Sequence, residues 1–182
     1  MVSAIPLLRE QLGQAHAFLQ VAMDDVTAEQ AHWQPPGVAN PIGATYAHVL
    51  LGEDAFIAML SGRQPLSADE RARQAGLSEL PPLAAAGSIL PLSPDWHAWG
   101  RRVRVDLMAL RSYGEAVQQA SDDYLAGLKD EDLDAPLDLS AVGFGERSLG
   151  WLLSGGLIGH LLSHWGEIVC LKGLQGSKGF PV

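Results

Sequence analysis

Residues 149–174 read LGWLLSGGLIGHLLSHWGEIVCLKGL, an apolar run without proline whose charged side chains are Glu167 and Lys172. Leu149, Leu153, Gly156, His160, His164, Glu167 and Leu171 step along it by four and three, the spacing that keeps side chains on one face of an α-helix. The run is therefore a helix, expected to start near Ser148 and to end by Gly173 or Gly176. Two imidazoles lie in the middle of the face that should meet the core. Residues four apart on a helix sit roughly 5–6 Å apart at Cβ, so His160 and His164 can reach one point. Burying a polar group without a partner costs roughly 1–3 kcal/mol, so both rings need a partner. A metal ion and a hydrogen-bonded pair both meet that need, and spacing alone does not separate them.

Upstream, three further segments carry helical periodicity. Ile5, Leu8, Leu12, Ala15, Leu19, Ala22 and Val26 form one stripe, helix one. Thr27-Ala28-Glu29-Gln30 has the pattern of a capping box for a short turn of helix, which Pro35-Pro36-Gly37 stops. Asn40-Pro41 offers an N-cap and a first-turn proline for helix two, running to about Leu60 and ending at Gly62. Ser93-Pro94 repeats that signal before a third helix of some 33 residues, with Trp96, Trp99, Val103, Leu107, Leu110, Gly114, Val117, Tyr124 and Leu128 on one stripe. At 1.5 Å per residue it would span roughly 50 Å. No sustained alternation of β-branched residues marks a strand. The expectation is an all-α fold, one domain over residues 1–182, most simply a four-helix bundle with long crossover connections. Those connections are residues 63–92, with Pro65, Pro81, Pro82 and Pro91 and a short helix expected, and residues 129–147. Such loops often serve as lids or binding loops. Asp130, Asp132 and Asp134 have the alternation of a calcium loop, but Ala135 stands where its turn glycine belongs and Ala141 where its closing glutamate belongs; a solvated loop is expected.

Twelve basic against 21 acidic residues give a net charge of −9, which repels a phosphate backbone. Arg71, Arg73, Arg101, Arg102 and Arg104 read as solvated helix faces, and no nucleic-acid partner is expected. The apolar part of the last helix, Leu149–Leu162, falls short of the roughly 20 residues of a bilayer span, so no membrane partner is expected either. Met1–Glu10 lacks the regions of a secretory signal, and a single cysteine, Cys170, suits a reducing compartment; a cytoplasmic protein is expected. The apolar neighbours of Cys170 predict a buried, inert thiol. Trp33, Trp96, Trp99, Trp151 and Trp165 read as packing residues.

Helix two carries a third histidine, His48, between Ala44, Leu51 and Ala55. Periodicity cannot place it beside His160. The order of a Thr-Ala-Glu-Gln-x-x-Trp turn, a Pro-Ile-Gly-x-x-x-x-His helix, a long third helix and a Gly-His-x-x-x-His-x-Gly-Glu-Ile ending resembles the DinB-like (DinB/YfiT) metalloenzyme superfamily over about residues 5–175. The resemblance implies a four-helix bundle in which His48, His160 and His164 hold a divalent metal, with Gly166 allowing close helix packing. It also implies pairing of two copies through their helices, a homodimer.

Three neutral imidazoles leave an ion with open positions, unlike a closed structural site. Zinc or nickel suits such ligands, and iron(II) is tolerated. Relatives within the superfamily include transferases and isomerases that use low-molecular-weight thiols such as bacillithiol or mycothiol. The resemblance therefore implies a metal-dependent transferase acting on a small-molecule electrophile, with the thiol as co-substrate. Glu167, on the stripe three residues beyond His164, is the candidate for orienting that ring or moving a proton in catalysis. Glu53 and Asp54 lie mid-helix, where charged residues usually face water. A metal-dependent hydrolase of a small amide or ester would use the same three ligands. A non-catalytic helical binding protein with structural histidines is the reading of a different class.

Overall fold

The stripe of the first segment becomes α1, Ala4–Met23, in a computed structural model that describes residues 3–63, 68–82 and 96–179. Ile5, Leu8, Leu12, Ala15, Leu19 and Ala22 are all buried. The start of α1 is capped from far along the chain: the backbone N–H groups of Ala4 and Ile5 donate to the Asp130 carboxylate at 3.0 Å each, and the Ser3 hydroxyl adds a bond of 2.8 Å. An anion is favoured at a helix N-terminus, and the Ile5 and Ala4 amides hold the Asp130 carboxyl below its ordinary range. The acidic run thus ties a short 3₁₀ turn, Asp130–Asp134, to α1 and does more than face solvent.

Thr27 and Gln30 form the expected capping box of α2, Ala28–His32. The next helix, α3, spans Ile42–Leu60, with Pro41 at its N-cap position and no side-chain cap. Asn40 is therefore not the cap; its Oδ1 is buried without a hydrogen-bond partner. The expected short helix in the 63–92 connection is α4, Ala68–Gln74. Ser93-Pro94, Pro65 and Pro91 lie outside the described residues.

The long third helix is two. α5, Trp96–Arg102, ends before Val103, and α6, Leu107–Ala126, begins after Asp106. The chain between them leaves the helix to bond elsewhere: Ser78 N–H donates to Arg104 C=O at 3.0 Å, Asp106 N–H to Gly76 C=O at 2.8 Å, and Val105 N–H to His32 Nε2 at 3.0 Å. Asp106 then restarts the helix, its carboxylate accepting from Met108 and Ala109. Gly76 sits against this turn with φ +65°, where a Cβ would lie 2.6 Å from the Ala109 Cβ; only glycine fits.

α6 leads through the 3₁₀ turn into a hairpin, β1 Pro136–Leu139 and β2 Gly145–Ser148, antiparallel with Pro136 opposite Ser148 and Leu139 opposite Gly145. The sequence predicted no strand here. Each strand has four residues, and the pair is held by Leu139, which packs with Phe56 and Leu152 in a small second core. The last helix follows as α7, Leu149–Trp151, a π-helical segment, Leu152–Ile158, and α8, Gly159–Leu174. The fold is mostly helical. α1 and α3 each pack on both α6 and α8, which encloses the main core around Leu19, Leu50, Trp99, Leu110 and Leu161. Lys172 pins α8 to the end of α1, donating to Ala22 C=O at 2.8 Å and to Asp25. Among the described residues no helix is long and apolar enough to cross a membrane.

Candidate metal centre

α3 and α8 bring His48, His160 and His164 together, with one ring nitrogen from each lying within 4.8 Å of the others. The Nε2 atoms of His48 and His160 are 3.0 Å apart. Ring centroids are 4.9, 4.9 and 4.5 Å apart, and the three rings stand edge to face at 72°, 84° and 82°. Burial, reinforced by the two neighbouring histidines, pushes His48 down to about 3; burial and His164 push His160 down to about 4. Both rings are therefore neutral at pH 7, the form in which imidazole binds a metal.

Glu167 is where the stripe put it: its Oε2 accepts from His164 Nδ1 at 2.8 Å. That bond orients the ring with Nδ1 toward the carboxylate, so that Nε2 is the nitrogen turned to a metal. Gly52, one turn after His48, would carry a Cβ 3.7 Å from His160 Cε1. Trp96 covers His48 from the other side, with ring centroids 4.7 Å apart, and itself stacks on the fully buried Trp99 at 4.5 Å. An aromatic wall beside the histidines was not expected, since periodicity marked both tryptophans only as packing residues.

The imidazoles do not occupy the centre of the core-facing stripe. Leu161, Ile168 and Leu171 are buried, whereas His160, His164 and Glu167 are half-buried along the edge facing α3. In the π segment Gly159 N–H bonds back to Ser154 C=O, five residues earlier, so the face set by Leu149 and Leu153 does not continue in phase into α8. Other expectations also change. Glu53 and Asp54 face inward: Glu53, 1% exposed, bonds His16 Nε2 and the Ser121 hydroxyl, and Asp54 accepts from Tyr113 at 2.8 Å and Arg63 at 2.9 Å. Cys170 is exposed, because it lies on α8 between Ile168 and Leu171 and points away from both. A Cβ on Gly166 would meet nothing within 4 Å, so it serves no close packing. Trp151 is at the surface, 5.2 Å beneath the Arg147 guanidinium. Arg101 clasps the 34–37 loop through Pro35 C=O, and Arg102 pairs with Glu79 at 2.8 and 2.9 Å.

A family model of the DinB superfamily matches residues 11–168, which takes in all three histidines and Glu167. The chain belongs to the DinB superfamily. A crystal structure of a conserved protein from Enterococcus faecalis shares this DinB-superfamily fold, with a TM-score of 0.75 and 19% identity over 96% of this chain and 98% of that one. At that identity the likeness speaks for the fold alone. No curated protein matches.

The donor set of this DinB-superfamily chain fits a divalent ion of borderline softness: three imidazole nitrogens converge, and one of the rings is oriented by a carboxylate. Loss of such an orienting carboxylate typically costs 10–100-fold in metal affinity. Glu167→Ala is thus expected to weaken zinc binding by about 10–100-fold, and Glu167→Gln, which still accepts from Nδ1–H, by less. Competition titration with a chelating indicator measures both; equal affinities in wild type and Glu167→Ala would show that the His164 orientation does not matter.

Proposed function

We propose that this protein holds a divalent metal, zinc or nickel with iron tolerated, at His48, His160 and His164, and transfers a low-molecular-weight thiol to a small electrophile. The observation that carries the reading is the convergence of three ring nitrogens within 4.8 Å from helices far apart in sequence, two of the rings kept neutral by burial. An ion with open positions at such a set supplies Lewis acidity and favours the thiolate of a thiol held there. Glu167 holds His164 by Nδ1, so the opposite nitrogen stays turned to the metal. Trp96, backed by the buried Trp99, offers an apolar ring that shields one side of His48 from water and can seat the electrophile's carbon skeleton. The thiol transferase assignment rests on the superfamily resemblance together with this site. The same reading takes α1, α3, α6 and the last helix as a four-helix bundle forming one domain. It includes a cytoplasmic homodimer whose other partners are small molecules, without nucleic acid or membrane.

The test is conjugation of bacillithiol, mycothiol and other small thiols to a bimane electrophile, with the chain metal-free and after addition of zinc or nickel. Metal-dependent conjugation with one thiol, lost in His160→Ala, is the expected result. No metal-dependent conjugation with any of them would end the transferase reading.

A further inference from the structure

Several side chains bury a polar atom that has no hydrogen-bond partner, and among the described residues the most enclosed of them is Thr45, 3% exposed, whose Oγ1 is unbonded. Alcohols on helices can satisfy themselves by bonding back to a carbonyl one turn earlier. Ser61, Ser154 and Ser163 all do so, each to the carbonyl four residues before it, at 2.6, 2.7 and 2.8 Å. Thr45 does not. Pro41 C=O, four residues before it, accepts the Thr45 N–H at 3.0 Å and nothing from the hydroxyl. An unbonded buried hydroxyl costs stability that a valine of nearly the same shape would not. The group therefore calls for a partner that the folded chain alone does not supply.

Its position points to one. Thr45, His48 and Gly52 step by three and four along α3, on the row that meets α8: His48 Nε2 is 3.0 Å from His160 Nε2, and a Cβ on Gly52 would lie 3.7 Å from His160 Cε1. Residues three apart on a helix are roughly 5–6 Å apart at Cβ. Helical side chains lean toward the N-terminus of their helix, so the His48 ring is laid back over the turn that carries Thr45. Among the described residues the hydrogen bond of the His48 ring is the one to His160 through Nε2, which leaves Nδ1 without one.

An imidazole that gives one nitrogen to an ion carries its proton on the other, and almost always donates it to an acceptor that fixes the ring. His164 has the Glu167 carboxylate in that place. His48 has no carboxylate there, and one turn away lies a buried hydroxyl oxygen with its lone pairs unspent. We propose that Thr45 is a positioning residue of the metal centre, its Oγ1 accepting from His48 Nδ1–H once Nε2 holds an ion. The inference rests on the reading of the three histidines as metal ligands and is independent of the thiol-transfer reaction.

Two measurements on the full chain test this in wild type, Thr45→Val and Thr45→Ser: zinc affinity by competition with a chelating indicator, and thermal melting after the metal is stripped. Thr45→Val is expected to weaken zinc binding by about 10–100-fold, the usual cost of losing a group that orients a ligand. Without metal the same variant should melt no lower than wild type, because the hydroxyl it removes is unbonded there. Thr45→Ser keeps the oxygen and should keep most of the affinity. Equal zinc affinity in wild type and Thr45→Val would overturn the assignment. So would equal weakening in both variants, which would trace the loss to packing. A metal-free Thr45→Val chain that melts well below wild type would overturn it too, since the hydroxyl would then serve the fold itself. Wild type that binds no zinc would instead remove the metal centre, and this role with it.

Discussion

Elemental analysis of the chain, purified without a metal-binding affinity tag, is expected to return about one zinc, nickel or iron per chain, and His160→Ala almost none. The size of the effect follows from the donor set: His160 Nε2 lies 3.0 Å from His48 Nε2, and without it two nitrogens remain on opposite helices. Wild type that is metal-free and takes up no added zinc or nickel would remove the metal centre. A pH effect should accompany it in the chelator-treated chain. His48 and His160 are held near 3 and 4, below their ordinary 6.5. The unfolded chain therefore binds more protons than the folded one as pH falls below about 6.5, and stability drains from there toward pH 4. The melting temperature of the metal-free chain should fall on the order of 5–10 °C between pH 7.5 and pH 4.5. His160→Ala should show a shallower fall; identical slopes would mean that these rings do not set it.

Glu53→Ala is expected to cost about 3–5 kcal/mol, since it leaves two buried polar groups without partners at roughly 1–3 kcal/mol each and opens a cavity. Glu53 joins three helices, receiving His16 Nε2 from α1 and the Ser121 hydroxyl from α6, and all three side chains are buried. Truncation leaves an imidazole and a hydroxyl without partners in the core, as well as a cavity. For a chain of this size the cost corresponds to a melting temperature lower by roughly 6–20 °C. Urea denaturation measures the loss directly. Metal content per folded chain should stay at the wild-type level, since Glu53 touches none of the three clustered histidines. A cost below about 1 kcal/mol would place the pair among those whose desolvation cancels their attraction.

The helices were legible because their buried faces repeat locally: every member of the Ile5 to Val26 stripe is buried. The break before α6 was not. Val103 and Leu107 keep helical spacing across it, and what pulls the chain away is backbone pairing to Gly76 and Ser78, some 28 positions earlier. The hairpin escaped because four-residue strands are too short to show alternation, and their anchor, Phe56, lies on α3. His160, His164 and Glu167 could be associated by spacing, whereas His48 was reached only through resemblance. Glu53 and Asp54 were misread for the converse reason. A carboxylate on a helix looks solvated unless its partners are known, and His16, Ser121 and Tyr113 all come from other helices. Cys170 shows the limit of judging burial by neighbours in sequence, since Ile168 and Leu171 turn inward and leave it outside.

The π segment at Leu152–Ile158 makes the last helix a shaft with a slipped key. Upstream, Leu152 is locked against the hairpin and α3; downstream, His160 and His164 must meet His48. Each residue of an α-helix turns the chain through about 100°, so winding the same residues as regular α-helix would swing both imidazoles by about that angle away from α3. The angular setting of the histidine pair is therefore governed by the extra residue held in that wide turn, and rewinding it can retune the site while every ligand stays the same.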